Sequence, residues 1–271
     1  MSTSLPVYLY TGIMSPSHTQ YHSVQSYELR ADGNAGHSAF LQWFQQAAFE
    51  HSASVGWGMD TYAERESVWV MRGIDVEFLQ PARYLEEIAV RTWVSDIQRV
   101  RSHREYEAYR VSDSTLLARA RVDWVFLDTK TFLPRRVPQD IGKVLPPNGT
   151  PALAPIQWHT VAEGESLGHF ESTRRVYQYE LDQMQHVNNT VYLNWIEQQV
   201  HDAWRAWSLD VTALNVHRHY IEYRQQAVGD DELWLVSDAA RIGHEIIWQH
   251  GVYRGETLLI EAKSLGKKDE E

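Results

Sequence analysis

The chain has 271 residues, with 25 basic and 36 acidic side chains, so its net charge is −11 when histidine is neutral. This acidic balance argues against a general nucleic-acid binder, which carries an excess of basic residues. The absence of cysteine excludes disulfides, thiolate metal sites and a cysteine nucleophile.

Neither a membrane span nor a signal peptide is expected. The sequence has no apolar run of roughly 18 residues, the minimum for a spanning helix. The opening "MSTSLPVYLYTGIM" lacks the basic start of a signal peptide and has a proline in its short apolar run. We therefore expect a cytoplasmic protein without membrane insertion.

The first half of the chain predicts one long helix followed by strands. A strand-like segment, "VQSYELR" (24–30), leads into the polar turn "RADGNAGHSA" (30–39) and the helical "FLQWFQQA" (40–47). Patterns typical of strands then cover residues 86–96, 100–111 and 116–128. This half is a domain that we place at residues 1–140.

A proline-rich segment separates the two halves. It carries five prolines, namely Pro138, Pro146, Pro147, Pro151 and Pro155. Such a composition predicts an extended linker, placed at residues 141–169.

The second half, residues 170–271, repeats the first. "RVYQYEL" (175–181), "LDQMQHVNNT" (181–190) and "YLNWIEQQ" (192–199) follow in the same order, and Trp195 lies 152 residues after Trp43. Strands are predicted over 232–239, 244–253 and 257–264. A helix followed by an antiparallel meander, present twice, predicts an α+β protein. A long helix wrapped by an antiparallel sheet is a hotdog, so we expect a tandem, or double, hotdog.

Polar residues crowd the start of the second predicted helix. Asp182, His186 and Asn188 precede a helix that we expect to begin near Asn188 or Asn189. Hydrolysis of a thioester needs a base or a nucleophile and N–H donors for the oxyanion, and a helix start supplies unpaired N–H groups. The alternative is an ordinary helix cap with satisfied polar neighbours.

"LDQMQHVNNTVYLNW" resembles the motif of hotdog thioesterases, both the 4-hydroxybenzoyl-CoA type and the fatty acyl-ACP type. The first half favours the second type, because "FLQWFQQAAFEHSASVGWG", "WVMRGIDVEFLQPARYLEEIAVRTWVSD" and "LLARARVDWVFLDTKTFLPRRVPQDI" resemble the N-terminal hotdog of acyl-ACP thioesterases. The likeness covers most of residues 25–262. It implies a double-hotdog enzyme in which the second hotdog carries catalysis and the first shapes the acyl cavity. It also implies an acyl carrier protein or CoA thioester as substrate, without a metal or redox cofactor.

The resemblance places the family's catalytic acid at Asp182 and its histidine at His186. The chain departs from the family at Met184, where asparagine is common, and at Gln226, where the family has glutamate. We expect Asp182 to act as general base or nucleophile and His186 to orient the thioester or water. Asn188 and the following amides are expected to position the oxyanion, and Gln226 to hold a water.

Further residues near this helix are expected to contact the substrate. They are Asn189, Met184, Trp195 and Glu197. Glu197 is also a second candidate for the acid, since some hotdog thioesterases place theirs on this helix, although a glutamate on an exposed helical face is usually only solvated.

Two other functions stay open. The changes at Met184 and Gln226 are compatible with an acyl-binding hotdog protein that has lost catalysis. The segment "DGNAGH", from Asp32 to His37, has the spacing of hotdog hydratases, but we interpret it as a glycine-bearing turn and cap. The spacing of the scattered histidines predicts no metal site.

Basic residues on the first half offer a contact for a carrier. Arg99, Arg101, Arg135 and Arg136 are candidates for binding acyl carrier protein or the phosphates of CoA, or they form a charged outer sheet face. The tryptophans of this half are expected to lie mostly in the core; they are Trp43, Trp57, Trp69, Trp93 and Trp124. A homodimer is also compatible with the fold.

Overall fold

The computed structural model describes residues 16–209 and 214–268. The helices of this part are α1 (His37–Ser54), α2 (Met59–Glu64), α3 (Gln139–Val144) and α4 (Asn189–Ala206). The strands of the first half are β1 (Ser17–Ser23), β2 (Ser67–Phe78), β3 (Glu87–Ile97), β4 (Arg101–Arg110) and β5 (Leu116–Asp128). Those of the second half are β6 (Glu165–Arg175), β7 (Leu214–Tyr223), β8 (Glu232–Ile242), β9 (Glu245–Arg254) and β10 (Thr257–Lys268).

The strands form one antiparallel sheet in the order β1-β3-β4-β5-β2-β7-β10-β9-β8-β6. Each half contributes five strands, and the order of the second half mirrors that of the first. The halves join where β2 pairs with β7, between the register pairs Gly73–Glu222 and Glu77–Arg218. This α+β architecture, with one long helix per half, is the tandem hotdog that the sequence predicts.

The core lies between the two long helices and the concave sheet. α1 buries Phe40, Trp43 and Phe44, and α4 buries Tyr192 and Trp195. These residues recur at intervals of three and four, so they share one face of each helix. They belong to a single cluster of buried residues that spans both halves, and α1 and α4 also contact each other. The two halves therefore share one core.

The strand-like segments predicted before each long helix are wrong. Strand β1 ends at Ser23, before the first segment, and β6 ends at Arg175, the first residue of the second segment. Short 3-10 turns occupy Ser26–Glu28 and Gln178–Glu180. Each turn is closed by its glutamate, which accepts the backbone N–H three residues earlier at 2.7 and 2.8 Å. The alternating tyrosines that imitate a strand point into solvent: Tyr27 is 83% exposed and Tyr179 82%.

The proline-rich segment is more ordered than an extended linker. It contains the short helix α3, and it buries Ile141, Leu145 and Leu153. Ile141 and Leu145 pack in a cluster with Trp57 and Phe126. Apolar residues between the prolines therefore fasten this segment to the first half. No helix in the described ranges is long and apolar enough to cross a membrane.

Candidate active site

A tight loop carries the first group of predicted site residues. Leu181 and Val187 form an isolated antiparallel bridge, and the N–H of Asp182 donates to the carbonyl of His186 at 2.8 Å. One carboxylate oxygen of Asp182, Oδ1, accepts the N–H of Met184 at 2.8 Å and that of His186 at 3.4 Å. Asp182 thus closes its own turn, an arrangement that aspartate and asparagine favour.

The two proposed catalytic side chains keep free polar atoms. Within residues 16–209 and 214–268, neither Oδ2 of Asp182 nor the ring of His186 has a hydrogen-bond partner. Both side chains are half-buried. They are therefore accessible to a water or a substrate.

The helix α4 begins directly after this loop. Asn188 is its N-cap, and Oδ1 of Asn188 accepts the N–H of Thr190 at 3.0 Å and its hydroxyl at 2.9 Å. The N–H of Asn189 has no acceptor among the described residues. Tyr223 donates its hydroxyl to the carbonyl of Asn189 at 3.0 Å. The predicted helix start is confirmed, and it leaves the Asn189 amide as the unpaired donor.

An open groove of about 480 Å³ lies in front of this helix end. Both halves of the chain line it: Val70, Met71, Phe132, Val187, Asn189, Tyr192, Tyr223, Arg224, Gln225, Gln226, Val228 and Arg254. The lining combines apolar side chains with polar ones, which suits an acyl chain with a polar head.

The segment with Gln226 is held beside the loop. Val187 donates its N–H to the carbonyl of Ala227 at 2.9 Å, and Ala227 donates its N–H to the hydroxyl of Tyr192 at 3.0 Å. Burial raises the pKa of Tyr192 to about 12, so its hydroxyl stays neutral at physiological pH. Gln226 and Asn189 consequently line the same groove.

Two of the residues predicted to contact substrate, Met184 and Trp195, are not part of the groove lining. Met184 is 44% exposed at the tip of the loop. Trp195 is buried: its indole N–H donates to Glu180 at 2.9 Å, and Arg174 lies over its ring at 4.0 Å. Because Trp195 does not line the groove, its position suits support of the loop better than contact with substrate.

Sequence reasoning missed the role of Glu180. Its carboxylate accepts hydrogen bonds from Trp195, Arg174 and the N–H of Tyr177. Its carbonyl accepts the N–H of Asn188 at 2.9 Å. The first half repeats this arrangement, because Trp43 donates to Glu28 at 2.8 Å. The glutamate and tryptophan pairs have the same spacing in both halves, a signal that is visible in the sequence.

Glu197 lies away from the start of α4, beside His37, the first residue of α1. One oxygen accepts from Nδ1 of His37 at 2.5 Å, and the other is paired with Arg30. Burial would raise the pKa of Glu197, but the charges of His37 and Arg30 and the hydrogen bond to His37 outweigh it and lower the pKa to about 2. A carboxylate of such low pKa is a weak base, so Glu197 ranks below Asp182.

The hydratase-like segment forms a turn. Asp32 accepts the N–H of Asn34 at 2.9 Å, and Gly33 has a φ of +80°. His37 bonds to Glu197 instead of Asp32. The two residues that a hydratase motif would bring together thus serve separate contacts.

The four basic residues are all exposed, and two of them have partners. Arg101 pairs with Asp123, and Arg135 donates to the carbonyl of Arg65 at 2.9 Å. Arg99 and Arg136 are exposed. They lie on adjoining segments, since Val137 donates its N–H to the carbonyl of Arg99 at 3.0 Å.

Comparison with known proteins agrees with this fold. An acyl-[acyl-carrier-protein] hydrolase of Cuphea viscosissima is 24% identical over 249 residues, which are 86% of this chain and 58% of the relative. A palmitoyl-acyl carrier protein thioesterase of Arabidopsis thaliana is 25% identical over 187 residues, or 65% of this chain and 45% of that protein. The chain thus spans about half the length of these relatives.

A solved structure has the same fold. The 12:0-ACP thioesterase from Umbellularia californica superposes with a TM-score of 0.78 at 18% identity, over 96% of this chain and 97% of that one. Models of the acyl-ACP thioesterase N-terminal and C-terminal domains match residues 16–145 and 168–257. The chain belongs to the acyl-ACP thioesterase family.

Proposed function

We propose that this protein hydrolyses acyl-ACP thioesters to a free fatty acid and the carrier thiol, with acyl-CoA as the alternative substrate. The observation that carries the proposal is the groove that reaches the start of α4, where the N–H of Asn189 has no acceptor among the described residues. Asp182 and His186 do not line this groove; they lie in the loop that leads into α4, and Oδ2 of Asp182 has no hydrogen-bond partner among the described residues. Membership of the acyl-ACP thioesterase family supports the same reaction.

In this mechanism the acyl chain lies along the apolar wall of the groove, with its thioester at the α4 end. Asp182 takes a proton from a water, and the resulting hydroxide attacks the thioester carbonyl carbon. The N–H of Asn189, aided by the positive end of the helix dipole, stabilises the oxyanion. The tetrahedral intermediate then collapses, the C–S bond breaks, and the proton passes from Asp182 to the departing thiolate.

Two further side chains have positioning roles. The free ring of His186 orients the thioester or the water, and the Gln226 amide, which can donate and accept, holds the water. Asn188 serves α4 as its cap, because its Oδ1 is already bound to Thr190. The cap keeps the first turn of the helix in place beneath the oxyanion.

The carrier is proposed to contact the exposed arginines. Arg136 lies four residues after Phe132, which lines the groove, and Arg99 is bonded to the same segment through Val137. This exposed pair is our candidate contact for the molecule that delivers the acyl chain. An acidic carrier protein fits such a pair. The cytoplasmic location and the homodimer expected from the sequence stay predictions.

A second candidate is an acyl-binding protein without hydrolytic activity. It is favoured by Met184 and Gln226, which replace a hydrogen-bonding and an acidic group of the family. Neither side chain acts as a base. This candidate predicts acyl-thioester binding without turnover.

Release of free thiol from a panel of acyl-ACP and acyl-CoA substrates tests the proposal. We expect steady thiol release, with a higher kcat/KM for acyl-ACP, and a smaller advantage of acyl-ACP in an Arg99→Glu, Arg136→Glu double variant. Arg241→Glu is the matched control, because Arg241 pairs with Glu165 at the end of β8 remote from the groove. Saturable binding without thiol release would establish the binding protein instead.

A further inference from the structure

The start of α1 brings together three side chains of metal-ligand type from separate parts of the chain. They are His37 at the start of α1, Glu197 in the middle of α4 and His219 on β7. One ligand atom from each lies within 4.8 Å of the others. Nδ1 of His37 is 2.5 Å from Glu197, and Nε2 of His219 is 3.9 Å from the same oxygen.

His219 presents a buried nitrogen that has no partner in the described part of the chain. Its side chain is fully buried, and Nε2 makes no hydrogen bond to any residue of 16–209 or 214–268. The other ring nitrogen, Nδ1, is 2.8 Å from the hydroxyl of Ser264, which is in turn 3.0 Å from Nε2 of His250. With Nδ1 donating to Ser264, the ring is held in place and Nε2 carries the lone pair, 3.9 Å from Glu197. Metal-bound histidines are oriented by an outer-shell partner of this kind.

The other two side chains are also held in place. The His37 ring stacks on Phe78, with centroids 3.7 Å apart and an angle of 3° between the planes. Burial lowers the pKa of His219 to about 3, and Glu197 is ionised at neutral pH. A neutral imidazole and a carboxylate are the states that bind a metal ion.

We propose that His37, Glu197 and His219 form a binding site for one divalent transition-metal ion, with Zn²⁺ as the best match. Two imidazoles and a carboxylate are a common zinc ligand set, and they leave a fourth position open. Ligand atoms about 2.0–2.2 Å from zinc lie roughly 3.3 Å apart in a tetrahedral site. The contact between His37 and Glu197 must therefore lengthen, and that between His219 and Glu197 must shorten.

Arg30 competes with the metal ion for the carboxylate of Glu197. Its guanidinium pairs with the outer oxygen of Glu197, and its side chain is 39% exposed. Zinc binding therefore displaces this arginine towards solvent. Among the residues that the structure describes, the start of α4 has no equivalent cluster, because the residues 152 positions after Arg30 and His37 are Asp182 and Asn189.

Zinc titration of the untagged protein, freed of metal with a chelator and then dialysed, tests the site by calorimetry. We expect one strong Zn²⁺ site per chain and a higher Tm with Zn²⁺ present, because a ligand that binds only the native state stabilises it. Glu197→Gln and His37→Gln should each weaken zinc binding at least about tenfold, in keeping with the loss of one ligand. Arg30→Gln should strengthen binding, since it removes the competing charge.

His169→Gln is the control for surface binding. His169 lies between Glu171 and Asp238 on the exposed face, with each ring nitrogen bound to a different carboxylate, so its loss should leave the strong site unchanged. Absence of strong binding to the wild type, or wild-type affinity in both Glu197→Gln and His37→Gln, overturns the proposal. An Arg30→Gln variant that binds zinc no more tightly than the wild type also contradicts it. These readouts need no hydrolytic activity, so they are independent of the proposed function.

Discussion

Replacement of Asp182 by asparagine separates the charge of this side chain from its structural role. Asparagine keeps an oxygen that accepts the N–H of Met184, so the loop should remain folded. It cannot take a proton from water at neutral pH. We expect Asp182→Asn to lower kcat for thiol release by about 10²- to 10⁴-fold, the range of general acid–base catalysis.

Asp230→Asn is the matched control for this variant. Asp230 lies in a turn next to Val228 of the groove lining, where it has a φ of +68° and pairs with Arg175, and asparagine tolerates that backbone conformation. Its loss should leave kcat nearly unchanged. Near-wild-type turnover by Asp182→Asn would remove Asp182 from the mechanism.

Gln226 offers the reverse experiment, because a carboxylate can be added at the groove. Gln226→Glu places a base beside the helix end, and we expect it to raise kcat by about tenfold, a modest share of what acid–base catalysis provides. The matched control is Gln225→Glu, which adds the same charge to the neighbouring residue of the groove lining. Equal effects of the two variants on the pH–rate profile would show a change of charge alone, without a specific role for position 226.

Site residues that are adjacent in sequence were predictable, whereas those joined only by the fold were not. The loop from Asp182 to Asn189 is continuous, so its polar groups could be assigned to a helix start. The cluster of His37, Glu197 and His219 has no sequence signal, because its members come from α1, α4 and β7. Glu197 was expected to contact the substrate and was the second candidate for the acid, but it lies in the middle of α4, far from the start of that helix.

At the scale of elements, a buried charge pair crosses the junction of β2 and β7. Arg218 donates two hydrogen bonds to Asp75, at 2.9 and 2.8 Å, and is 4% exposed. Burial raises the pKa of Asp75 although Arg218 opposes the shift, so desolvation outweighs the attraction. We expect Asp75→Ala to lower the free energy of unfolding by about 3 kcal/mol or more, because it leaves a buried arginine unpaired.

Urea unfolding measures this decrease in the free energy of unfolding, and removal of a surface ion pair is the control. Arg101 and Asp123 also pair across neighbouring strands, but the Arg101 side chain is 48% exposed. Loss of a surface pair costs up to about 1 kcal/mol, so Asp123→Ala should be much milder than Asp75→Ala. Similar urea midpoints for the two variants would show that the junction does not depend on the buried pair.

Hydrophobic periodicity predicted the long strands and helices but not the short elements. The predicted strands lie where β3–β5 and β8–β10 are found, because alternation over ten or more residues is a strong signal. The 3-10 turn Gln178–Glu180 was mistaken for a strand, since three residues hold too few alternations to show a period. Helix α3 was hidden by the prolines around it, although Ile141 and Leu145 are buried like core residues.

At the scale of the whole molecule, buried histidines link stability to pH. Burial lowers the pKa of His51, His219 and His250 from 6.5 to about 3. Between these values the unfolded chain binds more protons than the folded chain, so stability falls as pH falls below 6.5. Glu197, whose pKa is lowered from 4.5 to about 2, loses its contribution only below pH 4.5.

We therefore expect the free energy of unfolding to decrease by about 1.3 kcal/mol per buried histidine between pH 7 and 5.5, or about 4 kcal/mol in total. Urea unfolding across this range, with a chelator present to keep metal from His219, measures the decrease. His250→Gln should reduce the decrease by about one third, since one proton fewer is taken up on unfolding. His169→Gln should not reduce it, because hydrogen bonds to Glu171 and Asp238 raise the pKa of His169 and its contribution grows as pH falls. A free energy of unfolding that stays constant from pH 7 to 5.5 would mean that the buried histidines are protonated in the folded protein.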